Sequence, residues 1–600
     1  MTKVFSVWAV LVLMCGTLCG WLWQPARVGA AELSRVGHKI DDFSLRDYRG
    51  KTHSLGEFAE SKLVVVAFLG TDCPLAKLYG RRLAELSRRF ADRGVAFIGI
   101  NANQQDSITE VADHARIHGI AFPVMKDLGN EVADRFGAVR TPEVFVLDAD
   151  RVIRYWGRID DQYGVGYQRP KPTNSDLVMA LEELLEGRTV TQPEITAPGC
   201  FIGRVTKVDA KGDVTYSNQV ARLLQRRCIE CHRENEIAPF PLDRYEEVVG
   251  WAETIREVVD QGRMPPWFAN PAYGHFRNDA RLNEEEKQLL FTWLDNGCPE
   301  GDRSQLPPRA EFADGWRIPE PNLVLYMDDK PFKVQAEGVV DYQHFVVDPG
   351  FTEEKWLQAA EARPGNRSVV HHIVVFIQPP GADAGIAFGD RLASVYAPGT
   401  PPWEFPEGTA VPVPPGSKFV FQMHYTPNGS VQEDRSYLGL RFVDEKSVTR
   451  KARSYITGNF GINIPPGDDN YEATCRYKFR RDTLLLNLFP HMHLRGKDFR
   501  FEAEYPDGRR EILLDVPNYD FAWQIRYDLV EPKLMPKGTK LHCIGHFDNS
   551  AENLDNPDPT ARVTFGEQTW EEMFVGFFTA APAGEDLGAQ PDEAVAGSGN

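Results

Sequence analysis

Apolar residues change their spacing twice along the chain, and each change marks a new kind of unit. The run KLVVVAFLG, residues 62–70, is apolar without alternation, which predicts a buried strand. Behind it Leu75, Leu78, Leu83 and Leu86 recur at helical spacing and line one face. VAFIGINA reads as a strand, SITEVADHARIHG as a helix, RTPEVFVLDAD as a strand and SDLVMALEELLEG as a closing helix. This alternation predicts an α/β sheet layer over residues 33–198. Residues 205–305 keep only the helical period, in YSNQVARLLQRR, YEEVVGWAETIREVVDQGR and NEEEKQLLFTWLDNG. Beyond residue 318 that period disappears. Short β-branched and aromatic runs (YQHFVVD, VVHHIVVF, FVFQMHY, LLLNLFPHMHLRG, FRFEAEYP) alternate with Pro/Gly turns. They predict two β-sandwiches, at 318–445 and 446–582. The expected fold class is multidomain: an α/β domain, an α-helical domain, then the two sandwiches.

Composition agrees with this division. Six hundred residues make about four compact units, and 42% apolar content is enough to give each a core. A formal charge of -19 argues against nucleic acid or an anionic membrane surface as a partner. The chain opens with Lys3, an uncharged apolar run and ARVGAAE, the pattern of a secretory signal over residues 1–31, cleaved near Ala30 or Ala31. The run is also long enough for a single uncleaved N-terminal membrane anchor. Either way the expected location is extracytoplasmic, periplasmic or secreted, where disulfides persist. Residues 583–600 read as a disordered acidic tail. Beyond the signal lie Cys73, Cys200, Cys228, Cys231, Cys298, Cys475 and Cys543. Cys475 with Cys543 and Cys200 with Cys298 are candidate bridges, and Cys73 is the candidate free thiol.

Three constellations carry chemistry. Cys73 begins a helix, where a thiolate is stabilised, and Thr141-Pro142 precedes a strand; on these residues the first unit resembles the thioredoxin-like redoxins. Their dithiol motif is incomplete, since Ala76 stands where the second cysteine falls, and Gly70 replaces the peroxiredoxin threonine. Cys73 is therefore read two ways, as a redox thiol or as part of an inherited, mainly structural domain. In the helical unit Cys228, Cys231 and His232 form the C-x-x-C-H pattern of covalent c-type haem, as in small cytochromes c. Its alternatives are a disulfide or half a zinc site, for which a second ligand pair is missing nearby. Met264, in a loop directly after a helix, is the expected sixth iron ligand, with His275 in reserve.

The third constellation ends the sandwich strands: His371 and His372, then His424, then His491 and His493. His491 and His493, two apart, face one way on a strand; the adjacent His371 and His372 need a bend or bulge to share an ion. Met573 adds a thioether, a poor zinc ligand and a good copper(I) ligand. The order HH, QMHY, HMH and EEM resembles the copper type II, ascorbate-dependent monooxygenases, the peptidylglycine α-hydroxylating and dopamine β-monooxygenase family. That resemblance implies two copper ions. His371, His372 and His424 would hold the electron-transfer copper, and His491, His493 and Met573 the catalytic, oxygen-binding one. It implies hydroxylation of a substrate C–H bond with O2; the fused haem, itself a one-electron carrier, is then read as feeding the three-histidine copper, with an external donor supplying the haem and a small molecule or peptide as the substrate. Two further readings stay open: a non-catalytic copper and haem electron carrier or copper-handling protein, and a zinc hydrolase.

Overall fold

The computed structural model describes residues 34–204, 212–234, 236, 238–310, 315–381, 392–397 and 400–584. The signal or anchor at 1–31 and nearly all of the tail lie outside these residues. Among the described residues no helix is long and apolar enough to cross a membrane.

The first unit is built on an eight-stranded sheet. Its strands run in the order Glu194–Ile195, Ile153–Gly157, Glu143–Leu147, Leu63–Phe68, Val95–Asn101, Val124–Lys126, Ser44–Asp47, Thr52–Ser54. Leu63–Phe68 lies near the centre, parallel to Val95–Asn101 and antiparallel to Glu143–Leu147, with all its residues buried. Helices Pro74–Ala91 and Asp176–Leu185 cover one face through Leu83, Phe90, Leu177 and Leu181. Phe136 and Val132 of helix Glu131–Phe136 cover the other with Phe68 and Phe145. Coverage on both faces explains why KLVVVAFLG does not alternate.

Four helices follow, Ala221–Arg227, Tyr245–Gly250, Ala252–Asp260 and Glu284–Asp295, packed around Trp251 and Trp293. The helical period at 245–263 is broken at Trp251, so one expected helix is two. The loop between the last two helices leaves the helical core. Trp267, Ala269 and Phe276 join the hydrophobic core of the C-terminal β region instead. Asn270 donates from its backbone N–H to Asp515 O at 2.7 Å, and Val530 donates to His275 O at 3.1 Å. Residues 267–278 thus strap the helical unit onto strands about 250 positions away, a separation typical of β-rich packing rather than of a loop.

The rest of the chain is β-rich and antiparallel, in two pairs of sheets that each share one core. In the first pair, Gln343–Val347, Lys418–Tyr425, Val370–Gln378 and Leu392–Tyr396 form one sheet, and Lys355–Arg363 with Tyr437–Val443 centres the other. Both sheets contribute to a core that includes Leu357, Val375, Phe421 and Leu438. In the second pair, Arg453–Gly458, Val575–Pro582, Thr483–His491 and Tyr527–Met535 form one sheet. The other comprises Tyr471–Lys478, Lys540–Phe547, Gly496–Glu504 and Arg510–Val516. Gly429, at φ +88, brings this β region onto the first unit: a Cβ there would lie 2.4 Å from the carbonyl oxygen of Lys77.

Candidate functional site

Strand Val370–Gln378 runs antiparallel to Lys418–Tyr425, and His372 stands directly opposite His424. The register shifts between Val370 and His372, so His371 is the extra residue of a bulge. That bulge turns two adjacent side chains toward one point, as the sequence required. His371 Nδ1 lies 3.2 Å from His372 Nδ1, and His424 Nδ1 lies 3.3 Å from it. One nitrogen from each of the three rings falls within 4.8 Å of the others. Burial pushes the His371 imidazole down to about 4. It also holds His372 and His424 well below the ordinary histidine range, with the neighbouring rings adding repulsion. Three buried neutral imidazoles facing one another form a ready nitrogen donor set.

His491 ends strand Thr483–His491, paired with Val575 in register. Met573, 2% exposed, lies two residues before strand Val575–Pro582, and the ring centroids of His491 and His493 are 5.2 Å apart. Gln524 Oε1 sits 3.0 Å from His491 Nδ1, and the Glu571 carbonyl oxygen sits 3.2 Å from His493 Nδ1. Each acceptor fixes the proton on Nδ1 and leaves Nε2 as the free donor. His493 Nε2 is buried with no partner, a donor atom awaiting a ligand. Burial pushes His491 down to about 4 and His493 down to about 3. Glu572, fully buried, accepts from the backbone N–H of His493 at 2.9 Å and of Arg495 at 2.7 Å, locking the HMH turn.

Sequence reasoning missed Gln524, Glu572, and the two aromatic rings between the clusters. Phe521 has its centroid 5.7 Å from that of His424 and 5.9 Å from that of His493. Tyr342 stands 5.1 Å from His424 and 6.5 Å from His493. Phe521 and Gln524 lie in FAWQ, which no periodicity marks, while Tyr342 opens YQHFVVD and Glu572 lies in EEM with nothing in those runs to set them apart.

The donor sets fit copper: three convergent imidazoles in one cluster, and two anchored imidazoles in the other, with the buried Met573 just before the strand that pairs with His491. The haem motif also fits. His232 Nδ1 lies 3.1 Å from the Phe240 carbonyl oxygen, leaving Nε2 free for iron. Burial pushes the thiols of Cys228 and Cys231 up to about 12 and about 11, so both are neutral. The segment docks on the first β pair, where Glu236 pairs with Arg367 and Glu230 with Arg317 at 3.3 Å. Met264 is half-buried directly after helix Ala252–Asp260, its backbone N–H bonded to Val258 O at 3.1 Å. His275 is exposed on the strap, its backbone held by the C-terminal β region, so the reserve iron ligand is displaced from the helical core.

Cys73 caps helix Pro74–Ala91 as expected, but it is 0% exposed. The pairing of Cys200 with Cys298 is corrected. Strand Cys200–Phe201 pairs with Arg140–Thr141 and sets Cys200 opposite Thr141, whose carbonyl accepts from Cys73 Sγ at 2.8 Å. Cys200 therefore stands opposite the residue that takes the Cys73 hydrogen bond, and the two thiols perturb each other, Cys73 held down to about 6 and Cys200 well above the usual range. Cys298 is buried in the helical core instead. Cys73 is thus not an isolated thiol. Cys475 does face Cys543 in register on neighbouring strands, with both sulfurs free. Gly70 can carry no side chain: a Cβ would lie 2.7 Å from Asn103 Nδ2 and 2.9 Å from Thr141 Oγ1.

Residues 36–156 match the AhpC/TSA family. The thiol-disulfide oxidoreductase ResA of Bacillus thuringiensis subsp. konkukian is 27% identical over 141 residues, 24% of this chain and 79% of that protein. ResA of Bacillus subtilis is 26% identical over 141 residues, covering 24% and 76%. Among solved structures, a hypothetical protein of Sinorhizobium meliloti 1021 is similar at 31% identity, over 28% of this chain and 94% of its own, with a TM-score of 0.27. The peroxidoxin BcpB of Mycobacterium tuberculosis is similar at 23% identity over 20% and 84%, with a TM-score of 0.19. The N-terminal unit is therefore a thioredoxin-like redoxin domain.

Proposed function

We propose that this protein is an extracytoplasmic copper-dependent monooxygenase with a c-type haem as its internal electron donor and a redoxin unit that carries thiol–disulfide chemistry. The observation that carries the reading is the pairing of a bulge-built triad, His371, His372 and His424, with His491 and His493, whose free Nε2 atoms face away from anchored Nδ1 atoms. Met573, just before the strand that pairs with His491, would add a thioether, which favours copper over zinc. Bound copper supplies one-electron redox chemistry and a site for O2. The chain supplies the rest. Gln524 and the Glu571 carbonyl orient the two rings, Glu572 fixes the turn between them, and Phe521 with Tyr342 excludes water between the clusters. Cys228 and Cys231 would tether haem and His232 would hold its iron, and the Glu236–Arg367 pair ties that motif to the segment leading into His371. The substrate is a small molecule or peptide with an oxidisable C–H bond, and an external donor serves the haem.

The test uses the full chain with haem attached and copper loaded, reduced, then mixed with labelled O2 and a panel of candidate substrates. Substrate-dependent uptake with one labelled oxygen atom in the product is expected. A reduced, copper-loaded protein inert to O2 overturns the monooxygenase reading and leaves the electron carrier.

A further inference from the structure

The redoxin unit lacks the second cysteine of a helix-borne dithiol, since Ala76 occupies that place. The fold supplies one from elsewhere. Strand Cys200–Phe201 lies beyond the last helix of the redoxin unit, in the passage toward the helical unit, and it returns to pair with Arg140–Thr141. Its Cys200 packs at once on the redoxin core and on the core of the helical unit. Cys73 Sγ donates to the Thr141 carbonyl oxygen at 2.8 Å, and the strand register sets Cys200 opposite that same Thr141. Cys73 is 0% exposed, whereas Cys200 is half-buried.

We infer that Cys73 and Cys200 form a reversible disulfide, and that a thiol reductant enters it at Cys200 and expels Cys73. The inference rests on the reading of the redoxin unit as a thiol–disulfide unit and is independent of copper and haem. The usual order is inverted: the sulfur at the helix start is the inner one, and the one on the linker strand is the point of entry. Two features favour this direction. A reductant thiolate approaches from the side of Cys200, the half-buried residue of the pair, rather than from the fully buried Cys73. The leaving sulfur sits at the start of helix Pro74–Ala91, beside Cys200, and its thiol is held down to about 6 while Cys200 stays well above the usual range. A low-pKa thiolate leaves faster.

The chemistry balances with two reductant thiols. The first, as thiolate, attacks Cys200 Sγ; the Cys73–Cys200 bond breaks, Cys73 departs as thiolate and Cys200 is left in a mixed disulfide. A second thiolate attacks the reductant sulfur of that mixed disulfide and releases Cys200, which takes a proton. Two electrons pass from the two thiols to the protein disulfide, and the reductant leaves as its own disulfide.

The experiment uses the full-length holoprotein and glutathione. Oxidation with diamide, a small two-electron oxidant, is followed by peptide mapping under non-reducing conditions. A linked pair of peptides containing Cys73 and Cys200 is expected, absent in Cys200→Ser. The oxidised protein is then exposed briefly to glutathione, quenched in acid and mapped again. The glutathione adduct is expected on Cys200, at least tenfold over Cys73. No Cys73–Cys200 linkage, or Cys200 linked to Cys298, overturns the pair and with it the thiol–disulfide reading of the unit. A linkage that forms but collects glutathione on Cys73 overturns the direction alone.

Discussion

Gln524 offers the most direct probe of the second cluster, because it touches a proposed ligand without being one. It is 3% exposed, and its Oε1 accepts from His491 Nδ1 at 3.0 Å and from the Tyr519 hydroxyl at 3.2 Å. Its Nε2 donates to the Phe521 carbonyl oxygen at 3.0 Å. Gln524→Leu keeps the approximate volume and removes all three bonds. Tyr519 retains the Met492 carbonyl at 2.9 Å, so the principal loss falls on His491. A buried donor left without its acceptor costs about 1–3 kcal/mol. Loss of such an outer partner typically weakens a metal site about 10- to 100-fold, which is about 1.4 to 2.7 kcal/mol. The two ranges coincide, so the predicted loss is that whole range, confined to one of two sites.

Copper(I) titration against a chromophoric chelator measures this, since the triad provides an internal control. None of the hydrogen bonds made by Gln524 reaches His371, His372 or His424. In Gln524→Leu one equivalent should bind with unchanged affinity and the second about 10- to 100-fold more weakly. Gln524→Glu, which keeps the acceptor, should bind both at least as tightly as the parent. Equal weakening of both equivalents, or no weakening of either, refutes the assignment of Gln524 as the anchor of a metal-binding His491.

Other outcomes follow from the same geometry. Cys228→Ala with Cys231→Ala should abolish haem that survives acid–acetone extraction, and extraction of haem from the parent contradicts covalent attachment. Met573→Leu is close to volume-conserving and should cost less than about 1.5 kcal/mol in a chemical denaturation curve. Reduced copper in that variant should lose the sulfur scatterer that X-ray absorption detects in the parent; a parent spectrum without sulfur contradicts thioether ligation. Arg367→Glu sets a like charge against Glu236 and should slow re-oxidation of the reduced haem by O2 several-fold at unchanged copper content; an unchanged rate in stopped-flow absorbance separates this contact from the electron path.

Much of this was legible because the signals were local. The alternation of strands and helices in the first unit and the bulge demanded by His371 and His372 follow from spacing within a few residues. What escaped was fixed at long range. Residues 267–278 carry no periodic pattern in the sequence, since the surface that buries Trp267 and Phe276 is supplied by strands near Asp515 and Asp528. Cys200 carries no periodic signal on a two-residue strand, and its partner is chosen by the register against Thr141. Gln524 and Glu572 are single polar residues whose roles appear only when the turn after His491 folds over them.

The contacts between units also constrain how electrons can be shared. The helical unit meets the redoxin through Phe201 N–H donating to Thr254 Oγ1 at 3.1 Å and through Arg140 paired with Glu257 at 2.7 Å. It meets the first β pair through Glu230 and Glu236, and the second through the strap at 267–278. Position alone therefore makes it the junction of the molecule. Chemistry divides that junction. A thiol–disulfide couple exchanges two electrons through bond formation at sulfur, whereas haem and copper exchange one at a time. Passing electrons from Cys73 and Cys200 to haem would require a sulfur radical, and nothing around Cys73 provides a one-electron partner. The place of Cys73 at the start of helix Pro74–Ala91 favours a thiolate instead. In the proposed protein the redoxin thus acts beside the haem-to-copper path, linked to it mechanically through the strand that bears Cys200. Oxidising the pair should then alter the packing of strand Cys200–Phe201 against Thr254 without re-oxidising the haem. Hydrogen exchange at Phe201 together with the haem spectrum, followed across a glutathione redox titration, reads both at once. Haem oxidation that tracks the thiol titration would place the redoxin in the electron path.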